Sequence, residues 1–225
     1  MPAPPAASRL PIVVLVSGHG SNLQAILDKA ADLAVQVRAV VSDRPEAQAL
    51  ERARQAGVPV EVVAPKAYPD RAAYDAALTA AVDAYQPGLV VLAGFMRILG
   101  PGFVRRFAGR LVNIHPSLLP KYRGLETHRK VLEAGDTQHG CSVHFVTDEL
   151  DAGAVIAQAE VPVLPGDDEF SLRVRVQGVE HVIYPEVIGW FAAGRLGLKG
   201  GQVILDGTPL PGPKTFNWTR LKEPT

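Results

Sequence analysis

Residues 12–24 read Ile12-Val13-Val14-Leu15-Val16-Ser17-Gly18-His19-Gly20-Ser21-Asn22-Leu23-Gln24, and they decide the fold. A continuous, largely β-branched apolar run with no polar alternation marks a strand buried on both faces. The two glycines that follow let the chain turn sharply and leave backbone amides uncovered. Ser21 and Gln24 have the spacing of a capping box, which predicts a helix N-terminus at this loop. Strand, glycine turn and helix together predict the first unit of a parallel α/β sheet.

Working outward, the alternation continues. Strands are expected over residues 37–41, 58–63 and 89–93, and helices over 22–33 and 46–55, the second with Pro45 near its first turn and Gly57 as its stop. Asp70 is placed to cap a long Ala-rich helix that ends before Pro87. Further strands are expected over residues 111–114, 141–146 and 155–163, with helices over 127–133 and 169–193, the latter kinked at Pro185. Trp190, with the helix-spaced Ile183, Val187 and Phe191, reads as core. Asp206-Gly207 predicts a hairpin over residues 203–210. The expected fold is one α/β domain over residues 11–210, its sheet largely parallel and right-handed in its crossovers, with helices on both faces. Residues 1–10 are expected as a disordered tail and 211–225 as a C-terminal tail.

The chain has 225 residues, 47% of them hydrophobic, which excludes disorder of the whole and supplies one full core. Lys plus Arg and Asp plus Glu both number 23, so there is no basic excess of the kind that meets a nucleic-acid backbone. The one cysteine, Cys141, excludes an intrachain disulfide or a multi-cysteine zinc site and fits a reducing, cytoplasmic setting. No apolar run approaches the ~18 residues that span a bilayer, and the Pro-rich start lacks the core of a secretory signal.

Four segments carry chemistry. Uncovered amides at a helix start in the 17–24 loop suit a phosphate, although an ordinary tight turn has the same look. Leu23 stands where a dinucleotide fingerprint needs its third glycine, and no Gly-Lys-Ser/Thr follows. In Asn113-Ile114-His115-Pro116, period two points Asn113 and His115 to one side, and Pro116 ends the strand. An amide donor beside an imidazole at a strand edge suits a developing oxyanion, while a purely structural histidine is the alternative. Thr147-Asp148-Glu149-Leu150-Asp151 fits a solvated acidic loop or a carboxylate that meets His115, and its spacing is not that of an EF-hand. Gly94-Phe95-Met96-Arg97-Ile98-Leu99, after a buried strand, could line a flat apolar pocket or simply pack.

The segments SGHGSNLQAIL, LAGFMRIL, NIHPSLLPKYRGLETHR and HGCSVHFVTDELDAG, in this order, resemble the phosphoribosylglycinamide formyltransferase family of purine biosynthesis. The resemblance covers residues from about 12 to 207 and implies a single Rossmann-like domain of the formyltransferase fold. It implies transfer of a formyl group from 10-formyltetrahydrofolate to the amine of glycinamide ribonucleotide. Asn113, His115 and Asp151 match the catalytic trio. In that match, Asn113 and His115 stabilise the oxyanion while Asp151 keeps His115 charged. Gly20, Ser21 and Asn22 match the loop for the ribonucleotide phosphate, with Pro116 and Glu180 as further substrate contacts. Arg71, Met96, Arg97, Ile98 and Leu99 match the folate pocket, together with Asn113 and the loop Thr147, Asp148, Glu149, Leu150 and Asp151. The implied partners are small molecules, with no metal, nucleic acid or membrane, and the implied state is monomer or homodimer.

Two positions depart from the pattern. His19 stands where the family often has Asn, and Glu126 where some relatives have His. Methionyl-tRNA formyltransferase shares NIHPSLLPKYRG but is expected to bring a further C-terminal domain and a basic surface. Formyltetrahydrofolate hydrolase is expected to bring an N-terminal regulatory domain. A non-enzymatic nucleotide-binding module would leave the trio without a purpose.

Overall fold

Alternation along β1 (Leu10–Val16) sets the layers. Ile12, Val14 and Val16 enter one core while Val13 and Leu15 enter another, and none of the five is exposed to solvent. Burying each such side chain contributes about 1.5–3 kcal/mol, so β1 anchors both layers at once. The computed structural model describes residues 9–218. Its elements run on through α1 (Ser21–Lys29), β2 (Val35–Ser42), α2 (Gln48–Gln55), β3 (Val60–Val62), α3 (Arg71–Asp83), β4 (Leu89–Leu92) and α4 (Pro101–Arg106). There follow β5 (Leu111–His115), α5 (Thr127–Ala134), β6 (Gln138–Phe145), β7 (Val155–Pro162), α6 (Glu169–Ala192), β8 (Leu196–Lys199), β9 (Gln202–Leu205), β10 (Thr208–Pro209) and β11 (Lys214–Asn217).

The main sheet has eight strands in the order β11-β7-β6-β5-β4-β1-β2-β3. Pairings from β3 through to β5 are parallel, β6 is antiparallel to both β5 and β7, and β11 is parallel to β7. Only β6 therefore runs against the rest. Helices α1, α2, α5 and α6 give side chains to the first core, and α3 and α4 to the second. The second core reaches Leu111 at the start of β5. Beyond it, on that same face, stand the polar Asn113 and His115, and opposite them on β6 His144 and Ser142. This polar face begins where the second core ends.

Several expectations change. Gly20 caps α1 in the left-handed region (φ +80°), so Ser21 is already helical and no capping box forms. Gln24 instead donates to Asp28 and accepts from Arg52. Helix α1 stops at Lys29 rather than 33, and turns carry the chain to Ala34 at φ +53°. Asp70 caps α3 as expected, accepting from Ala73 N–H at 2.8 Å. The Asp206-Gly207 hairpin forms between β9 and β10, with both residues at positive φ, and β8 extends it to a three-stranded sheet. The expected tails are corrected at both ends. Leu10 belongs to β1, and Lys214–Asn217 pair with Ala157–Glu160 as the edge strand β11. Residues 1–8 and 219–225 lie outside the described residues. Helix α6 continues through Pro185, where the ring removes the hydrogen bond to the His181 carbonyl.

Candidate active site

Strand β1 has β2 on one side and β4 on the other, so the sheet's order reverses between β1 and β4. Crevices outside such switch points are where open α/β sheets bind ligands. The loop after β1 opens there, and Gly20 is required twice over. Its φ is +80°, and a Cβ on it would stand 2.6 Å from the Ala49 Cβ on α2. Asn22 donates from Nδ2 to Glu180 Oε2 at 2.8 Å, and its own Oδ1 is buried without a hydrogen-bond partner. Glu180, on α6, is 5% exposed. Burial pushes its carboxyl above the usual range, and the Asn22 bond offsets part of that. A buried acceptor left open beside a helix start, at Asn22 Oδ1, suits a ligand carrying a hydroxyl donor next to an anion. His19 lies against Arg52, with the ring Nε2 3.3 Å from the guanidinium.

The trio meets on the open face of β5 and β6. Nε2 of His115 donates to the Tyr122 carbonyl at 2.9 Å, which leaves Nδ1 3.4 Å from Asp151 Oδ2. That carboxylate oxygen also accepts the Gly124 N–H at 2.9 Å, and Asp151 Oδ1 stands 3.7 Å from His144 Nε2. His144 donates from Nδ1 to its neighbour's carbonyl at Phe145 (2.8 Å), so its Nε2 is the acceptor for Asn113 Nδ2 at 3.2 Å. Burial pushes the His144 pKa down, which favours the neutral ring, while the Phe145 carbonyl and Asp151 oppose part of the shift. Asn113 thus spends one N–H on orientation and has one left. Asp151 sits at φ +49°, a conformation Asp and Asn tolerate better than most residues. Of the acidic loop, Asp151 turns inward while Glu149 pairs with Arg123 at 2.7 Å on the surface. Pro116 directly follows His115 at the end of β5.

The loop after β4 forms the other wall of the crevice. Ser17 joins the two loops: its Oγ accepts the Met96 N–H at 2.9 Å and donates to Asp43 Oδ1 at 2.6 Å. Met96 and Ile98 are 60% and 64% exposed, an apolar surface open to a flat ligand. Arg97 lies over the Tyr74 ring at 5.0 Å, and its Nε is buried without a partner. Arg71 donates to the Ile98 carbonyl while pairing with Asp75 at 2.8 Å. Leu99 packs against the second core. Leu150 is 52% exposed, and Thr147 Oγ1 donates to the Glu149 carbonyl across Asp148.

The sequence pattern missed His144, the Tyr122 carbonyl and the Ser17–Asp43 pair. His144 had a signal in hindsight, since period two puts it on the same side as Ser142, between the apolar Cys141, Val143 and Phe145 of the strand's second half. Glu126, one of the departures, pairs with Arg129 on the surface at the start of α5. Among the described residues no group of three or more His, Cys, Asp or Glu could hold a metal ion.

Polar groups are gathered in this way on a face of the α/β fold that the helices leave open. The chain belongs to the formyl transferase family, whose profile matches residues 10–188. It is 58% identical to phosphoribosylglycinamide formyltransferase of Escherichia coli over 202 residues, covering 89% of this chain and 95% of that protein. Among solved structures, phosphoribosylglycinamide formyltransferase from Coxiella burnetii, in complex with CHES, superposes with a TM-score of 0.89 at 51% identity. That match covers 92% of this chain and 99% of the other. Glycinamide ribonucleotide transformylase 1 from Symbiobacterium toebii gives 0.86 at 48%, covering 89% and 95%.

Proposed function

We propose that this protein transfers the formyl group of 10-formyltetrahydrofolate to the primary amine of glycinamide ribonucleotide, in purine biosynthesis. The observation that carries the mechanism is the inward turn of Asp151 onto His115, on the same face as Asn113.

In the reaction the amine nitrogen bonds to the formyl carbon and the bond from that carbon to the folate nitrogen breaks. The proton lost by the amine ends on the folate nitrogen. Negative charge develops on the formyl oxygen, where preorganised donors act most strongly. Asn113 supplies its remaining N–H. His115 supplies a ring N–H when it exchanges the Tyr122 carbonyl for substrate, and Asp151 supports the ring's positive charge and moves protons with it. Gly20, Ser21 and Asn22 hold the phosphate with backbone amides. Glu180 and Asn22 Oδ1 accept from the ribose hydroxyls, and Pro116 closes the strand end beside the substrate. Met96, Arg97, Ile98 and Leu99, with Arg71, receive the folate ring. The loop Thr147, Asp148, Glu149, Leu150 and Asp151 borders it from the other side, with Asn113 between the two substrates. The exposed apolar surface at Met96 and Ile98 supports this reading.

The proposal includes a cytoplasmic setting and a monomeric or homodimeric state; among the described residues no helix is long and apolar enough to cross a membrane. The experiment is a formyl-transfer assay with glycinamide ribonucleotide beside one with methionyl-tRNA. Formylation of the ribonucleotide, abolished in a folded His115→Ala variant, is expected. Formylation of the tRNA alone would overturn the substrate, and retention of most of kcat by His115→Ala would overturn the mechanism.

A further inference from the structure

Helix α2 holds the glycine loop from behind. Ala49 N–H donates to the Gly18 carbonyl at 3.0 Å, and Arg52 Nε donates to the His19 carbonyl at 2.9 Å. In a trans peptide the carbonyl and the next residue's N–H point in opposite directions. Two carbonyls drawn toward α2 therefore turn the N–H groups of His19 and Gly20 away from it. The next amides, Ser21 and Asn22, open α1 and have no intrahelical acceptor. Successive amides aimed alike form an anion-sized concavity.

The plane of the His19–Gly20 peptide is the weak point. Glycine at 20 lets that plane rotate at little cost, so a tether must choose its orientation. Arg52 is that tether. Besides Nε on the His19 carbonyl, one terminal nitrogen donates to Gln24 Oε1 at 3.2 Å and the other lies 3.3 Å from the His19 ring. Gln24 is fixed in turn by its bond to Asp28 at 2.8 Å. All three guanidinium nitrogens are thus spent on the loop and on α1, which makes the group a brace.

We propose that Arg52 is a positioning residue for the anion-binding loop: it orients the His19–Gly20 peptide so that its amide serves the ribonucleotide phosphate. This rests on reading that loop as the phosphate cradle. A lysine carries the same charge but lacks the planar fork that reaches three acceptors at once.

The test is calorimetric binding of glycinamide ribonucleotide and of its 5′-dephosphorylated nucleoside to wild type, Arg52→Ala and Arg52→Lys, with steady-state kinetics alongside. Wild type is expected to bind the phosphorylated form far more tightly. Arg52→Ala is expected to lose about 10–100-fold in ribonucleotide affinity, the scale of one hydrogen bond to a charged group. Nucleoside affinity is expected to stay put, the kinetic loss to fall on the ribonucleotide KM rather than kcat, and Arg52→Lys to remain close to Arg52→Ala. Wild-type affinity in Arg52→Ala, even with a lowered Tm, overturns the proposal and leaves the phosphate reading intact. Full recovery in Arg52→Lys also overturns it, since charge at a distance would then suffice. Equal binding of nucleotide and nucleoside by wild type would instead bring down the phosphate reading, and the proposal with it.

Discussion

Asp151 Oδ2 lies 3.4 Å from His115 Nδ1, and the two side chains are only 8% and 7% exposed. Solvent screens this pair little, so a charge on one is felt by the other far more than across a surface pair. The backbone at Asp151 is left-handed, and Asn is among the few residues that accept that conformation readily. Asp151→Asn is therefore expected to keep the fold and remove the charge. Its kcat is expected to fall about 10²–10⁴-fold with a much smaller change in KM. Asn113→Ala is expected to cost about 10²–10³-fold. Because the residues act as a unit, the double variant is expected to lose less than the product of the two losses, measured by steady-state formyl transfer with thermal melts as the folding control.

Arg71 touches the loop after β4 through the Ile98 carbonyl, and nothing it contacts belongs to the loop after β1. Arg71→Ala is expected to raise the folate KM several-fold and leave ribonucleotide binding alone. Equal folate affinity in variant and wild type, by fluorescence titration, would remove Arg71 from the folate site.

Glu180 trades stability for binding. Its raised pKa means that the fold disfavours the charged carboxylate. Its contribution to stability is complete below the ordinary carboxylate range and is lost as pH rises through the raised folded value. Glu180→Gln keeps the bond from Asn22 possible and removes the buried charge. The variant is expected to melt higher than wild type at pH 8 and to show a raised ribonucleotide KM. A melting point unchanged at pH 8 would contradict the argument.

His128 and His139 share a hydrogen bond, Nδ1 to Nε2, at 3.0 Å. Burial pushes them down to about 4 and about 3; Arg173 adds to the effect on His128, and His128 to that on His139. Between pH 6.5 and those values the unfolded chain binds more protons than the fold, so stability falls as pH falls. Each ring adds at most about 1.4 kcal/mol per pH unit, and the half-buried His128 less than that. Urea midpoints measured from pH 7 to pH 4 are expected to fall in wild type and to flatten in His128→Gln/His139→Gln. Equal slopes in the two proteins would show that other groups govern the acid transition.

Local chemistry alone settled much of this protein. The apolar run of β1, the Asp70 cap, the Asp206-Gly207 hairpin and the shared face of Asn113 and His115 each follow from a few neighbouring residues, because strand period, capping and turn conformation are short-range properties. Other features needed the folded chain. Ser21 and Gln24 had the right spacing for a cap, but contact with Ala49 and Arg52 favoured a turn at Gly20 instead. Lys214–Asn217 became a strand because β7 offered an unpaired edge, which the polar sequence KTFN does not announce. His144 reached Asn113 through the antiparallel register of β5 and β6, and Asp151 reached His115 from 36 residues away (151 − 115) across a loop that folds back over the sheet. Register and loop closure depend on the packing of the whole domain, so only the tertiary structure could bring those side chains together.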